Sequence, residues 1–477
     1  MNYKMIRYIL GWIMIFSAIF MLVPIITAAV YGEREIIHFL ISAGIGAAAG
    51  CLCMINKPKA KELHARDGFV IVSLSWILLG IIGALPLFIS GVIPSAVDAV
   101  FEVVSGLTTT GATILTEVES LPRCVLMWRS FTHWVGGMGV LVFIMAFIQL
   151  CGGQNMYLMK AESPGPSVSK LVPRVRTTAL LLYSIYFILT LTEFIALLIG
   201  GMDVFEALNT AFATAGTGGF GVKNSSIGGY SPALQIIVTV FMLLFSINFS
   251  CYYLVIKGRL KEAFNCEVRW FIGIAAAAIV IIAISISSMY GSLGEAFRHS
   301  AFAVATIMST TGFSTEDFNL WPEVARCLLV ILMFLGGCAG STCGGIKISR
   351  IIMLLKSMGK EMENLVHPKQ VKKIMIDNRA VEHEVIRSVN VYMVCFVVVF
   401  VFSLLGLSFN GYDFITNFTA VAATMNNVGP GLELVGPMGN YAFFSPVSKL
   451  ILIFDMLAGR LELFPMLLLF APATWKK

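Results

Sequence analysis

"SGLTTTGATIL", Ser105 to Leu115, is the stretch that decides the fold, because five hydroxyl side chains and two glycines sit just past the apolar run Phe69–Val92. The chain around it is 477 residues long, 58% hydrophobic and 13% charged. With a mean hydropathy of +0.86, that composition belongs to a polytopic membrane protein. A bilayer crossing needs about 20 apolar residues. Such windows fall at Tyr8–Val30, Phe39–Ile55, Phe69–Val92, Leu126–Leu150, Ala179–Ile199, Leu234–Ile256, Phe271–Tyr290, Leu328–Leu355, Val389–Phe409 and Leu450–Ala473, predicting about ten spans in an all-α fold.

The first window is too long for a signal h-region and lacks a small-residue cleavage site, so it reads as a retained helix. Ten cysteines are scattered without CxxC or zinc spacing and read as packing residues. Lysine and arginine gather in "INKPKAKELHARD", in Lys160–Arg176, in "IKGRLKEAFNCEVR", in Arg350–Arg387 and in the terminal "WKK", whereas the alternate connections carry "GERE", "TEVES" and "STEDF". Basic loops face the cytoplasm, which puts both termini there. This bias accounts for the formal charge of +6 and leaves no case for nucleic-acid binding.

The hydroxyl and glycine string recurs. "ATAGTGGFGVKN", "MSTTGFSTEDF" and "MNNVGPGLELVG" align with the first on Gly111, Gly219, Gly312 and Gly429, after steps of 108, 93 and 117 residues. Before each string lies an amphipathic stretch about half a spanning length ("SAVDAVFEVVSG", "DVFEALNTAFATA", "EAFRHSAFAVATI", "YDFITNFTAVAAT"). The repeating unit is therefore helix, re-entrant half-helix, polar string, helix. Its four copies are read as 67–160, 161–262, 263–365 and 366–477, after an N-terminal helix pair at 1–66.

Non-helical backbone survives at membrane depth only when buried in protein or lining a water-filled cavity. Four copies imply a shared central lining, and the negative ends of four half-helix dipoles beside it favour a cation. Dehydrating a potassium ion takes a ring of oxygens from convergent loops able to adopt the necessary backbone angles. The K+ filter is accordingly expected at Thr109, Thr110 and Gly111, at Thr217, Gly218 and Gly219, at Thr310, Thr311 and Gly312, and at Asn427, Val428 and Gly429. Packing turns are the bland alternative.

With these strings, "GALPLFISG", "WRSFTHWVGGMGV" and "GGCAGSTCGGIKISR", the whole chain resembles the integral-membrane subunit of the Trk/Ktr/HKT superfamily of potassium transporters, and most the Trk subunit with its extra N-terminal helix pair. The resemblance implies potassium as the transported ion, a homodimer embedded in lipid in the bacterial inner membrane, and control by a separate cytoplasmic nucleotide-binding subunit of the TrkA type. Gly218 departs from a T-x-G pattern in the second string, as do Val428 and Pro430 in the fourth.

Five glycines in ten residues, Gly336, Gly337, Gly340, Gly344 and Gly345, interrupt the window Leu328–Leu355. Each costs about 0.8–1.0 kcal/mol in a helix relative to alanine, so the helix is expected to break there, with close helix packing as the alternative. The resemblance implies that the broken segment is a gate beneath the filter, lined by Ser341 and Thr342. Lys347 and Arg350, just past it, read either as interface anchors or as gating residues. Arg460, inside an apolar window, needs a partner. Asp455 and Glu462 are the candidates nearest in sequence, and the resemblance implies a pore-facing barrier charge. Glu193 and Asn248 read as interhelical hydrogen-bond formers, and His133 is placed near the outer rim with no role. Glu117, Glu119, Glu316, Asp317 and Glu433 are expected either to concentrate cations at the mouth or simply to be solvated.

No HExxH, GxSxG or GxGxxG context is present, so an enzyme is not expected. The runner-up is a secondary transporter coupling cation or small-solute uptake to H+ or Na+, a symport mechanism. Four repeats with all polar strings on one side argue against inverted topology.

Overall fold

The structure is a computed structural model that describes residues 1–55, 64–139, 175–368, 373–377 and 379–476. Among these residues it is helical throughout, apart from loops and a short hairpin that pairs Met375–Ile376 with Arg379–Ala380. Among the described residues, six helices are long and apolar enough to cross a membrane: Tyr3–Tyr31, Ile36–Met54, Arg66–Ile89, Thr177–Ile199, Cys266–Met289 and His383–Ser408. Their outward faces carry exposed Phe402, Ile284 and Val394, as lipid-facing helices should. The N-terminal pair is locked by a glycine crossing, where a Cβ on Gly50 would lie 2.7 Å from the Gly11 carbonyl oxygen. Small residues at such crossings let helix backbones approach.

Of the other four expected windows, one runs out of the described residues and three are broken. The helix Arg123–Gly137 runs up to the edge of the described residues, and 140–150 lie outside them. Pro232–Phe245 and Phe249–Ile256 meet at 91°. Glu323–Leu335 and Ile348–Val366 are separated by the glycine-rich loop, as the sequence predicts. Pro446–Arg460 gives way to Phe464–Phe470 through Glu462 and Leu463, both at positive φ (57° and 68°). Two of these breaks were not expected. At the first, Asn248 accepts from the Ser250 amide at 2.8 Å and starts a new helix, rather than bonding across helices. At the second, Glu462 turns out to bind Arg350.

The four half-helices are Ala96–Leu107, Val204–Gly216, Leu293–Met308 and Phe414–Met425. Ser95, Asp203, Ser292 and Asp413 cap their first amides through side-chain oxygens. Their last turns are buried almost completely, and the second helix of each unit starts at Pro122, Ser231–Pro232, Pro322 or Ser445–Pro446. Proline at a helix start supplies the right φ and lacks only an N–H that has no partner there.

Candidate functional site

Just past each half-helix, two residues before its string's glycine, stands a residue in the left-handed region: Thr109 (φ 55°), Thr217 (57°), Thr310 (55°) and Asn427 (54°). The glycines follow at 79°, 79°, 88° and 96°, and the residue between them has no positive φ. The same backbone is thus built four times, although the middle residues are threonine, glycine, threonine and valine. A non-glycine residue in this region is uncommon and marks a conformation held by its surroundings.

The strings close a ring. A Cβ added to Gly111 would overlap the carbonyl oxygen of Gly218, one on Gly219 that of Thr311, one on Gly312 that of Val428, and one on Gly429 that of Thr110. Each glycine therefore abuts the next string in order and the fourth returns to the first. Side chains pin the ring from outside. The Thr108 and Thr110 hydroxyls bond at 2.8 Å and those of Ser309 and Thr311 at 2.6 Å, while Asn427 Nδ2 donates to Thr110 Oγ1 at 3.0 Å.

Two buried side chains of Arg123–Gly137, Arg129 and His133, hold this ring, and nothing in the sequence alone gives His133 a role. Glu102, on the first half-helix, accepts from Arg129 Nε at 2.8 Å and from the Thr113 hydroxyl and the Ile114 amide at 3.0 Å. His133 is fully buried rather than at a rim: Nδ1 donates to the Gly106 carbonyl at 2.8 Å and Nε2 accepts from the Phe220 amide at 3.2 Å. Its ring fills the space that a side chain at position 218 would need, which explains glycine there. The missed signal is periodic, because Arg129, Thr132, His133, Gly136 and Gly137 share one helical face.

On one side of the ring lies a chamber of about 160 Å³, lined by all four string glycines together with Arg129, Lys223, Asn224, Asn440 and Tyr441. Among the described residues, no carboxylate lines it. Glu119 instead accepts from the Asn224 amide, Asp317 from the Asn319 amide, Glu433 pairs with Arg326, and Glu316 lies 4.0 Å from His299. These acids tie loops together.

On the other side the loop from Gly336 to Lys347 forms a floor. Gly344 N donates to Thr310 Oγ1 at 2.8 Å, Gly345 N to the Asn426 carbonyl at 3.0 Å, and Cys338 N to the Ser246 carbonyl at 3.0 Å. Gly340 packs against the Asn248 amide, and Thr342 Oγ1 donates to the Phe245 carbonyl at 3.3 Å. Four positions take positive φ: Gly336, Gly340, Gly345 and, without glycine's freedom, Lys347 at 81°. The Lys347 ammonium donates to the Cys343 carbonyl.

Arg460 completes the floor. Its guanidinium donates to the Thr342 carbonyl at 2.7 Å, the Gly137 carbonyl at 2.6 Å, the Gly136 carbonyl and the Thr109 hydroxyl at 3.3 Å. It pairs with neither expected acid: Asp455 accepts from Ser403 Oγ at 2.6 Å, and Glu462 binds Arg350. Ser341, Gly344, Lys347 and Arg460 border a second cavity of about 80 Å³ beneath the ring. Of the expected residues, Gly337 lies behind the floor against Cys343 and Ser246.

The family model described as "TrkH: Cation transport protein" matches residues 32–477. The chain is 37% identical over 489 residues to the Trk system potassium uptake protein TrkH of Escherichia coli (strain K12), and 38% identical over 485 residues to that of Halomonas elongata; all of each chain is covered. The crystal structure of the potassium transporter TrkH from Vibrio parahaemolyticus superposes with a TM-score of 0.90 at 33% identity, covering both chains completely.

Proposed function

The chain belongs to the TrkH family of cation transport proteins, and on that premise we propose that it takes up potassium through a gated, channel-like pore. The observation that carries this reading is the closed ring of four strings, each with paired left-handed residues. Such alternation turns successive carbonyls to one side of the backbone, and four convergent loops of carbonyls are what replaces a potassium ion's hydration shell. The chamber is the outer vestibule and the cavity above Lys347 the inner one. The negative ends of four half-helices converge on the ring and favour a cation there.

The loop from Gly336 to Lys347 and Arg460 act together as the gate, since both lie directly beneath the ring and present fixed positive charge to the path. The units 67–160, 161–262, 263–365 and 366–477 are the quarters of the pore, beside the pair 1–66. In the bacterial inner membrane, with both termini cytoplasmic, a TrkA-type nucleotide-binding subunit docks on the basic cytoplasmic segments; of these, Lys160–Arg176 falls almost wholly outside the described residues. A second copy pairs along Leu355, Met358, Met362 and Leu365, exposed at heptad spacing.

The test is potassium and sodium flux through the purified chain in liposomes. Gly312→Ser places a side chain against the Val428 carbonyl and Pro430 in a left-handed conformation, and relaxed preference for potassium over sodium is expected. Unchanged preference after substitution of each of the four glycines in turn defeats the filter assignment.

A further inference from the structure

Two cationic side chains border the outer chamber, and they are held very differently. Arg129 is buried, salt-bridged to Glu102 and stacked over the Phe220 ring at 4.1 Å, so its charge is spent inside the protein. Lys223 is partly solvated, its side chain 34% exposed. Its ammonium lies 3.3 Å from Glu206 Oε1, itself 26% exposed, and 4.0 Å over the ring of Tyr230. Glu206 comes from the first turn of the second half-helix.

The backbone that carries Lys223 is fixed. Phe220, three residues earlier, is held by His133. The next residue, Asn224, accepts from the Val118 amide at 2.9 Å and donates its own amide to Glu119 at 2.9 Å. Ile227 N donates to the Ser314 carbonyl at 3.0 Å. Lys223 therefore stands at a set place in the chamber that the four string glycines also line.

We propose that the Lys223–Glu206 pair sets the apparent affinity for external potassium, as an electrostatic balance in the outer chamber that is separate from ion selection in the ring. This rests on the pore reading above. An ion arriving in the chamber feels the ammonium, which lines it, together with the Glu206 carboxylate behind it; no carboxylate is among the described lining residues and Arg129 is neutralised by Glu102, so the Lys223–Glu206 balance weighs most in the local field. A charge in a solvated cleft acts on passing ions through bulk-like dielectric and is screened by salt. The pair is close and nearly neutral as it stands, so removing either partner unmasks the other.

The experiment measures the concentration dependence of external potassium uptake by the full chain in liposomes at low and high ionic strength. Lys223→Gln unmasks Glu206 and is expected to lower the apparent KM about two- to fourfold at low salt, with little change in maximal flux. Glu206→Gln unmasks Lys223 and should raise it by a similar factor. The double substitution should return it near the starting value, Lys223→Arg should leave it there, and the differences should shrink at high salt. Potassium preference over sodium should be the same in all. Equal KM values at low salt, shifts of the same sign in both single variants, or an altered ion preference overturn the proposal. Absence of potassium flux in the unmodified protein is a separate outcome that overturns the pore reading itself.

Discussion

Nε2 of His133 accepts the backbone N–H of Phe220 at 3.2 Å, one residue past the second string's glycine. Because the Gly106 carbonyl only accepts, the opposite nitrogen, Nδ1, must carry the hydrogen. One neutral imidazole thus joins the first half-helix to the exit of the second string. His133→Leu orphans the buried Phe220 amide, at about 1–3 kcal/mol, and takes from the Gly106 carbonyl one of its two donors, the Thr109 amide at 3.1 Å remaining. Lower thermal stability and weaker discrimination against sodium are expected. His133→Gln keeps one donor and one acceptor and should recover most of both. Full selectivity in His133→Leu argues that the imidazole is packing alone.

The pair one turn nearer the outer chamber predicts stability rather than selectivity. Glu102 and Arg129 are both buried, and Glu102 also receives the Thr113 hydroxyl and the Ile114 amide. Arg129→Met strips that carboxylate of its counter-charge, and breaking a buried pair costs about 3–5 kcal/mol. Glu102→Gln with Arg129→Met removes both charges and should be less damaging than Arg129→Met alone. Thermal unfolding in detergent ranks the three proteins, and equal loss in the single and double variants would count against a charge-driven effect.

Arg460 makes the third prediction. Its hydrogen bonds go to carbonyls of two different quarters and to a hydroxyl at the ring's lower edge. Arg460→Ala removes a fixed positive charge from a passage where it is poorly screened and frees the Thr342 carbonyl. Potassium flux in liposomes is expected to rise severalfold with ion preference retained. Asp455→Asn, which touches only the Ser403 contact, should leave flux as it was. A flux increase in Asp455→Asn equal to that in Arg460→Ala would restore the helix-pairing view of Arg460.

These residues also mark what a sequence can and cannot say here. The four strings are legible because hydroxyls and glycines in register stand out against apolar helices, and the break at Gly336–Gly345 because five glycines unwind any helix. The breaks at Ser246–Asn248 and Glu462–Leu463 carry no such signature. Leu463 adopts φ 68° where a leucine is disfavoured, beside the contact of Glu462 with Arg350, a residue 112 positions away. For Arg460 the sequence offers Asp455 and Glu462 as near partners beside the pore-facing reading, but not the carbonyls it reaches, which lie 118 and 323 residues away. His133 was passed over because the polar face of its helix is visible in the sequence, but what that face meets is not.

The loop beneath the ring is fastened at both ends by one oxygen. Glu267 Oε1, from the start of the third quarter's first helix, accepts from the Ala339 amide at 2.7 Å and from the Ser349 amide at 3.1 Å. Deleting Gly337–Cys343 outright would also take away the Gly340 carbonyl that receives the Phe249 amide and the Cys338 amide that reaches Ser246, so it would disturb the bend of the second quarter as well. Glu267→Leu is the cleaner perturbation, because it unfastens the loop and leaves the loop's own residues in place. Two partly buried amides lose an acceptor, at no more than about 1–3 kcal/mol each, and the loop gains access to arrangements that the carboxylate excludes. Since the ring is built from other segments, potassium flux should rise and depend less on the proposed cytoplasmic partner while preference over sodium persists. Glu267→Gln retains an accepting oxygen and should fall between Leu and the unmodified chain. If Glu267→Leu instead folds normally and conducts at the original rate with the original partner dependence, the loop is held by its contacts with Thr310, Asn426 and Arg460 alone, and the carboxylate has no part in gating.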